Sequence, residues 1–267
     1  MIKLFNKIEF SKQSNRMRSI ANTKIAREIY NSAKSRNVKF LLNKRFSWMN
    51  NFINERDKGI EVGSGAGFAK YFIKNKDFKL TDISNDEHLD YKNIDAQNTN
   101  FENESFDYVI ASNMIHHMPY PIKFFREMNR ILKKNGKLII FESYSSVFFQ
   151  LATLVMRHEG LDFTVDVWDE KTPISDDDAW SGNIAITNLI FDNKEKFKEK
   201  LGNYFFIEYE KLTECLIFLN SGGVTSKTFC IPMNNFFMNI LHLIDKFLVK
   251  IFPKIFCMGR RIVLVKK

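Results

Sequence analysis

The sequence predicts an α/β fold: a doubly wound, mostly parallel sheet with helices on both faces. Three observations lead there. Between residues 58 and 142, short continuous apolar runs alternate with amphipathic stretches of helical period. The first run ends in a glycine-rich turn, Ile60-Glu61-Val62-Gly63-Ser64-Gly65-Ala66-Gly67. Acids then close the next two runs, at Asp82 and Asp95, where the carboxyl ends of parallel strands would lie. A chain of 267 residues, 45% apolar, can bury the core of one large domain with appendages.

Residues 15–55 lack Pro and Gly and place apolar residues at three- and four-residue steps, which predicts a mostly helical N-terminal cap over 1–57. Residues 58–62 form the first predicted strand, and a helix starts at Phe68 and runs to Lys74. A second strand ends in Leu80-Thr81-Asp82 and a short third one in Asn93-Ile94-Asp95. Phe106 to Ala111 is a buried strand. Ile122 to Leu132 is an amphipathic helix stopped by Asn135-Gly136, and Lys137 to Glu142 is the next strand. The ligand-binding core thus spans 58–145. Residues 146–267 are expected to supply a lid or substrate region, with strands at 204–220 and Arg261–Val265 around a helix over Pro232–Cys257.

The formal charge is +9, and all of the surplus lies in residues 1–58. Such an arm suits nucleic acid, anionic lipid or a phosphorylated substrate, or is simply a solvated helical face. Glu159 to Asp178 is acidic instead. The three cysteines, Cys215, Cys230 and Cys257, lack zinc or redox spacing, which predicts reduced thiols and a cytoplasmic location. The N-terminus has no apolar signal-like region, and no run of about 18 uncharged apolar residues could span a bilayer.

A glycine turn between strand and helix brings bare backbone and a positive helix end close to a ligand. The dinucleotide pattern G-x-G-x-x-G fails here, because residue 68 is Phe and the third glycine is Gly67. Glu61, two residues before Gly63, suits a cationic ligand better than a pyrophosphate. Asp82 is placed to take both hydroxyls of a ribose, and Asp95-Ala96 to meet the amine of a base. The site would therefore hold a nucleoside without a phosphate cradle.

With these residues in view, 58–142 resembles the core of the class I S-adenosylmethionine-dependent methyltransferases of the type 11 kind. Glu61 to Gly67 matches the family's first motif, Asp82 its ribose acid and Asp95-Ala96 its adenine contact. Phe106 to Met118 (FDYVIASNMIHHM) matches the fourth strand and active-site loop, and Leu132 to Glu142 (LKKNGKLIIFE) the fifth strand. The resemblance implies a seven-stranded Rossmann-like sheet and S-adenosylmethionine as cofactor. It implies that Glu61, Gly63, Ser64, Gly65, Gly67, Asp82, Ile83, Asp95, Ala96 and Asn113 line the cofactor site.

Methyl transfer needs alignment and a dry pocket, and a hydroxyl acceptor also needs a base. His117 and His116, just past the fourth strand, are the candidate bases, His117 the better placed. Related ubiquinone-pathway O-methyltransferases carry E-x-x-E-H here and have been linked to a divalent metal. This chain has Asn113 and His116 at the acidic places, so no metal is assigned. The loop lacks the [N/D]-P-P-[Y/F] of amino-methylating DNA enzymes, and no cysteine follows a proline as the cytosine C5 enzymes require.

The expected acceptor is a small molecule such as a sugar or lipid-linked glycan, methylated on oxygen. The alternatives are a tRNA methyltransferase using the basic arm, since some wobble-uridine enzymes share the I-H-H run, or a non-catalytic cofactor-binding scaffold. His158-Glu159 and the acids after them form a second candidate site. Within it, Ser175 with Asp176, Asp177 and Asp178 reads as a helix start, and Trp168 and Trp180 as core or sugar-stacking residues. The stripe along 236–252, from Phe236 to Ile251, is expected to cover a sheet; the alternative is a peripheral membrane contact.

Overall fold

Alternation along the strands decides the architecture. A computed structural model describes residues 1–9, 22–32, 35–156, 159–169, 182–224 and 228–267. Along them run β1 (Lys7–Ile8), α1 (Thr23–Asn31), α2 (Arg36–Phe46), β2 (Gly59–Val62), β3 (Phe78–Leu80), β4 (Phe106–Ser112), α3 (Pro121–Ile131), β5 (Leu132–Ser143), α4 (Val147–Met156), β6 (Leu161–Asp162), α5 (Ile186–Phe191), α6 (Lys194–Leu201), β7 (Phe205–Thr213), α7 (Leu216–Leu219), α8 (Asn235–Ile251), α9 (Pro253–Phe256) and β8 (Gly259–Lys266).

The main sheet has the order β3-β2-β4-β5-β8-β7. β2 lies parallel to β3 and β4, and β4 parallel to β5, while β8 runs antiparallel to both β5 and β7. Successive side chains of a strand point to opposite faces, so Val109 and Ala111 join one core and Tyr108 and Ile110 the other. The first core packs Leu138 and Ile140 of β5 against Phe124, Phe125 and Met128 of α3 and Ile190 and Phe191 of α5. The second packs Ile139 and Phe141 against Tyr30 of α1 and Val38, Leu42 and Phe46 of α2. Both faces are covered, which is why the strands read as continuous apolar runs.

Six strands form this sheet, not seven. The expected strand at Asn93-Ile94-Asp95 is absent, for a local reason. Asn93 adopts a left-handed φ of 56°, and the amide of Leu80 is taken by the Asp90 carboxylate at 2.8 Å rather than by a neighbouring strand. Likewise the expected helix over 68–74 is a single 3-10 turn, Phe68–Tyr71. Part of the predicted N-terminal helix lies outside the described residues, as do His158, Ser175, Asp176, Asp177, Asp178 and Trp180.

The stripe on α8 does the opposite of what was expected. Its buried residues are Met238, His242, Asp245 and Val249. Phe236, Phe237, Ile240, Leu243, Ile244, Phe247 and Ile251 are exposed. The polar edge faces inward because Asp245 accepts the amides of Cys215, Leu216 and Ile217 at 3.0, 2.7 and 3.1 Å, anchoring α8 to the start of α7. Both sheet faces already have covers, so no apolar surface was left for the stripe to bury.

Candidate active site

Gly65 has φ +50°, and a Cβ built on it would meet nothing within 4 Å. The turn after β2 therefore shows bare backbone to open space, as close approach of a ligand requires. Gly67 works differently. At φ +72° its Cβ would lie 2.8 Å from Leu80 Cδ1, so it lets the turn pack against β3. Ser64 closes the turn, with its hydroxyl donating to the Glu61 carbonyl at 3.1 Å and its carbonyl accepting from the Gly67 amide at 2.8 Å.

The space belongs to a cavity of about 340 Å³, within the usual size of small-molecule sites, about 300–1,000 Å³. Glu61, Gly63, Ser64, Gly65, Asp82, Ile83 and Asn113 line it, as do His116 and His117. Asp95, Ala96 and Gly67 are not in its wall. The Asp95 carboxylate instead accepts the Gln97 amide at 2.8 Å, closing a local turn, and Ala96 is packed into the core.

Glu61 is the most informative wall residue. It is 2% exposed, and its Oε2 has no hydrogen-bond partner among the described residues. Burial raises its pKa well above the usual carboxylate range; the Ser64 bond opposes this and the charge of Asp82 adds to it. A buried carboxylate oxygen without a partner is costly, and an ammonium group would relieve that cost. The α-amino group of S-adenosylmethionine fits this requirement. Asp82 is pre-oriented, its two oxygens accepting the amides of Gly65 at 2.8 Å and Ser84 at 2.9 Å. Its remaining lone pairs suit a vicinal diol.

The active-site loop is set by an acid the sequence reading left without a role. Glu142, at the end of β5, is fully buried and accepts the amides of Met114 and Ile115 at 2.7 and 2.6 Å. Its other oxygen lies 2.6 Å from His116 Nδ1. On the far side, His116 Nε2 is 3.2 Å and His117 Nε2 3.6 Å from Glu159. Burial disfavours the charged imidazole, but the two carboxylates outweigh it and lift His116 to about 10. His116 is thus an imidazolium at neutral pH, poorly suited to accept a proton, whereas His117 faces the outer acid, Glu159. Gly182 lets the chain pass over both rings, where a Cβ would lie 3.0 Å from His117 and 3.1 Å from His116.

His116, His117 and Glu159 each present one ligand atom within 4.8 Å of the others. Among the described residues of the second candidate site, Glu159 is thereby brought to the loop, while Trp168 packs against the core. Arg45 also lines the cavity. It was read as part of a basic helix, yet it is 6% exposed and bonds Glu214 through Nε at 3.1 Å. A cation at the inner edge of α2 among apolar neighbours was the available signal.

A carboxylate oxygen without a partner for an ammonium, a diol acceptor and bare glycine backbone, with no phosphate cradle among the described residues, define a site for a cationic nucleoside cofactor on an α/β sheet. In sequence, residues 60–140 match the family described as a methyltransferase domain. Residues 60–140 are thus a methyltransferase domain of the class I S-adenosylmethionine-dependent kind, with S-adenosylmethionine as its cofactor. No curated protein matches the chain in sequence. Among solved structures, a protein from Pyrococcus horikoshii is similar at 16% identity and TM-score 0.48, covering 91% of this chain and 99% of its own. A SAM-dependent methyltransferase from Methanosarcina mazei is similar at 15% and 0.48, covering 82% and 96%. A Thermotoga maritima SAM-dependent methyltransferase, titled a possible histamine N-methyltransferase, is similar at 15% and 0.45, covering 92% and 98%.

Proposed function

We propose that the enzyme methylates a hydroxyl of a small acceptor, a sugar or lipid-linked glycan, held in the cavity beside the glycine turn. When bound, S-adenosylmethionine supplies an activated methyl group on sulfur. The chain's own task is to hold the acceptor in line, exclude water and take the hydroxyl proton. The observation that carries the reading is the His117–Glu159 pair on the cavity wall, 3.6 Å apart. His117 accepts the proton, and Glu159 stabilises the resulting imidazolium. His116, already charged, steadies Glu159 and the loop.

Several cations of the basic arm are bonded to other parts of the protein, which weighs against RNA as acceptor. Arg27 donates to the Ala66 carbonyl at 3.0 Å, Arg45 is paired with Glu214, and Lys7 lies 3.2 Å from Asp162. A transfer assay with labelled S-adenosylmethionine, run in parallel on glycans, lipid extracts and tRNA, tests the reading. Label in glycan or lipid supports it. Label in tRNA, with binding that falls steeply with salt, replaces it with the nucleic-acid alternative. Cofactor binding without transfer to any fraction favours a scaffold.

A second reading of the proton's fate is favoured by spacing. Ligands about 2.1 Å from a tetrahedral divalent ion lie roughly 3.4 Å apart; His116 Nε2 is 3.2 Å from Glu159 Oε2, His117 Nε2 is 3.6 Å from Oε1, and one ligand atom of each residue lies within 4.8 Å of the others. Glu142 on His116 Nδ1 would then be the outer carboxylate that orients a metal-bound imidazole. In this reading His116, His117 and Glu159 would hold the ion, which would supply Lewis acidity to the hydroxyl.

A further inference from the structure

The outward face of α8 is apolar along its whole length, with Phe236, Ile240, Leu243, Phe247 and Ile251 at steps of three and four. Leu243 is 61% and Phe247 62% exposed. The surface continues onto neighbouring helices. α9 packs on α8 and α4 and exposes Ile255, with Phe252 exposed just ahead of it; α4 exposes Leu151, Leu154 and Val155. A patch of this extent exceeds the scattered apolar residues of an ordinary surface and marks a site of interaction.

Charge identifies the occupant. Among residues 228–256 the cations Lys246, Lys250 and Lys254 are all exposed, and the single acid, Asp245, is buried. α4 carries no charge at all. A second copy of this chain would bring its own three lysines against these three. No helix among the described residues is long and apolar enough to cross a membrane. α8, about 25 Å long at 1.5 Å per residue, has the form of a helix that lies in the interface, apolar face in the acyl boundary and lysines at the headgroups.

We infer that α4, α8 and α9 form a docking surface for an anionic phospholipid bilayer. α4 links this surface to the reaction: Phe149, Thr153 and Met156 line the cavity, while Leu151, Leu154 and Val155 of the same helix are exposed. An acceptor held at the lipid surface enters beside α4. The docking itself does not depend on which group is methylated.

The test is sedimentation of the full chain with phosphatidylcholine vesicles, with and without one part in three of phosphatidylglycerol, and needs no methyl transfer. Binding to the anionic vesicles, weakened by salt, is expected. Lys246→Gln and Lys250→Gln should each lower partitioning about fivefold, the weight of one lysine at such a surface. Leu243→Asp with Phe247→Asp should abolish it while S-adenosylhomocysteine binding and the circular dichroism spectrum stay unchanged. Equal vesicle binding by this double variant overturns the inference. So does absence of vesicle binding together with a dimer in sedimentation velocity that the same variant dissociates, which would make the face a seam between two copies.

Discussion

His116 Nδ1 lies 2.6 Å from Glu142 Oε2, at a point where neither residue has access to solvent to speak of. The contact joins the loop after β4 to the end of β5, and Glu142 also holds two amides of that loop. With Glu159 on its other nitrogen, His116 is a buried cation between two anions.

That charge makes stability depend on pH in a stated direction. The folded pKa of His116, about 10, lies above its ordinary 6.5. The protonated form is therefore favoured by folding, and its contribution is complete below about pH 6.5 and lost as pH rises through about 10. The urea midpoint should fall between pH 7 and pH 10. Glu142→Gln, lacking one of the two anions, should show a shallower fall; an identical slope would remove His116 from the account.

Glu61 couples cofactor binding to protons. Its pKa is raised by burial, so the free protein retains that proton to higher pH than an ordinary carboxyl, and an ammonium beside Oε2 favours the ionised form. Binding of S-adenosylhomocysteine should release protons and weaken as pH falls through the raised pKa. Calorimetry in two buffers of different ionisation enthalpy should give different binding heats, and Glu61→Gln should erase the difference. Matching heats for the unaltered protein would place the amino group elsewhere.

Asp82 tests the ribose contact. Replacing it by Ala removes charge-assisted hydrogen bonds of about 1–3 kcal/mol, together with the brace on the Gly65 amide. Cofactor affinity should drop by about that amount, and Asp82→Asn should retain part of it because the amide keeps one acceptor oxygen. An unchanged dissociation constant for the Ala variant would refute the assignment.

Proton removal has two accounts that a chelator separates. His117→Ala should reduce turnover by roughly 10²–10⁴ if the imidazole is the base, and Glu159→Gln should reduce it by less. Prolonged dialysis against EDTA should then leave the rate unchanged. A rate lost on dialysis and restored by zinc or manganese would favour the ion held by His116, His117 and Glu159. An unaltered rate in His117→Ala would move the role of base to another group.

The glycine turn was legible because its chemistry is local. Glu61, Gly63, Ser64 and Gly65 act through backbone and side chains within one stretch, and Asp82 sits at the end of the adjacent strand. The loop chemistry was only half legible: the two histidines stood out, but Glu142 looked like the end of an apolar strand. Its partner His116 is 26 residues away, and only the parallel pairing of β4 and β5 makes them neighbours. Glu159 was noticed among acids after the core, with nothing in its spacing to connect it with the histidines. The α8 stripe was seen and its direction misread, because a helical period says that one face differs from the other and not which one turns inward.

By itself, then, the amino-acid order determined the layered α/β design, the nucleoside cofactor and the turn that meets it, since short-range periodicity and contiguous motifs carry that information. Tertiary structure alone decided which carboxylates charge His116, that Arg27 and Arg45 of the basic arm bond within the protein, and that an apolar helix face is left open. Those outcomes depend on distances between segments far apart in the chain, set only when the sheet assembles and its two faces are already covered.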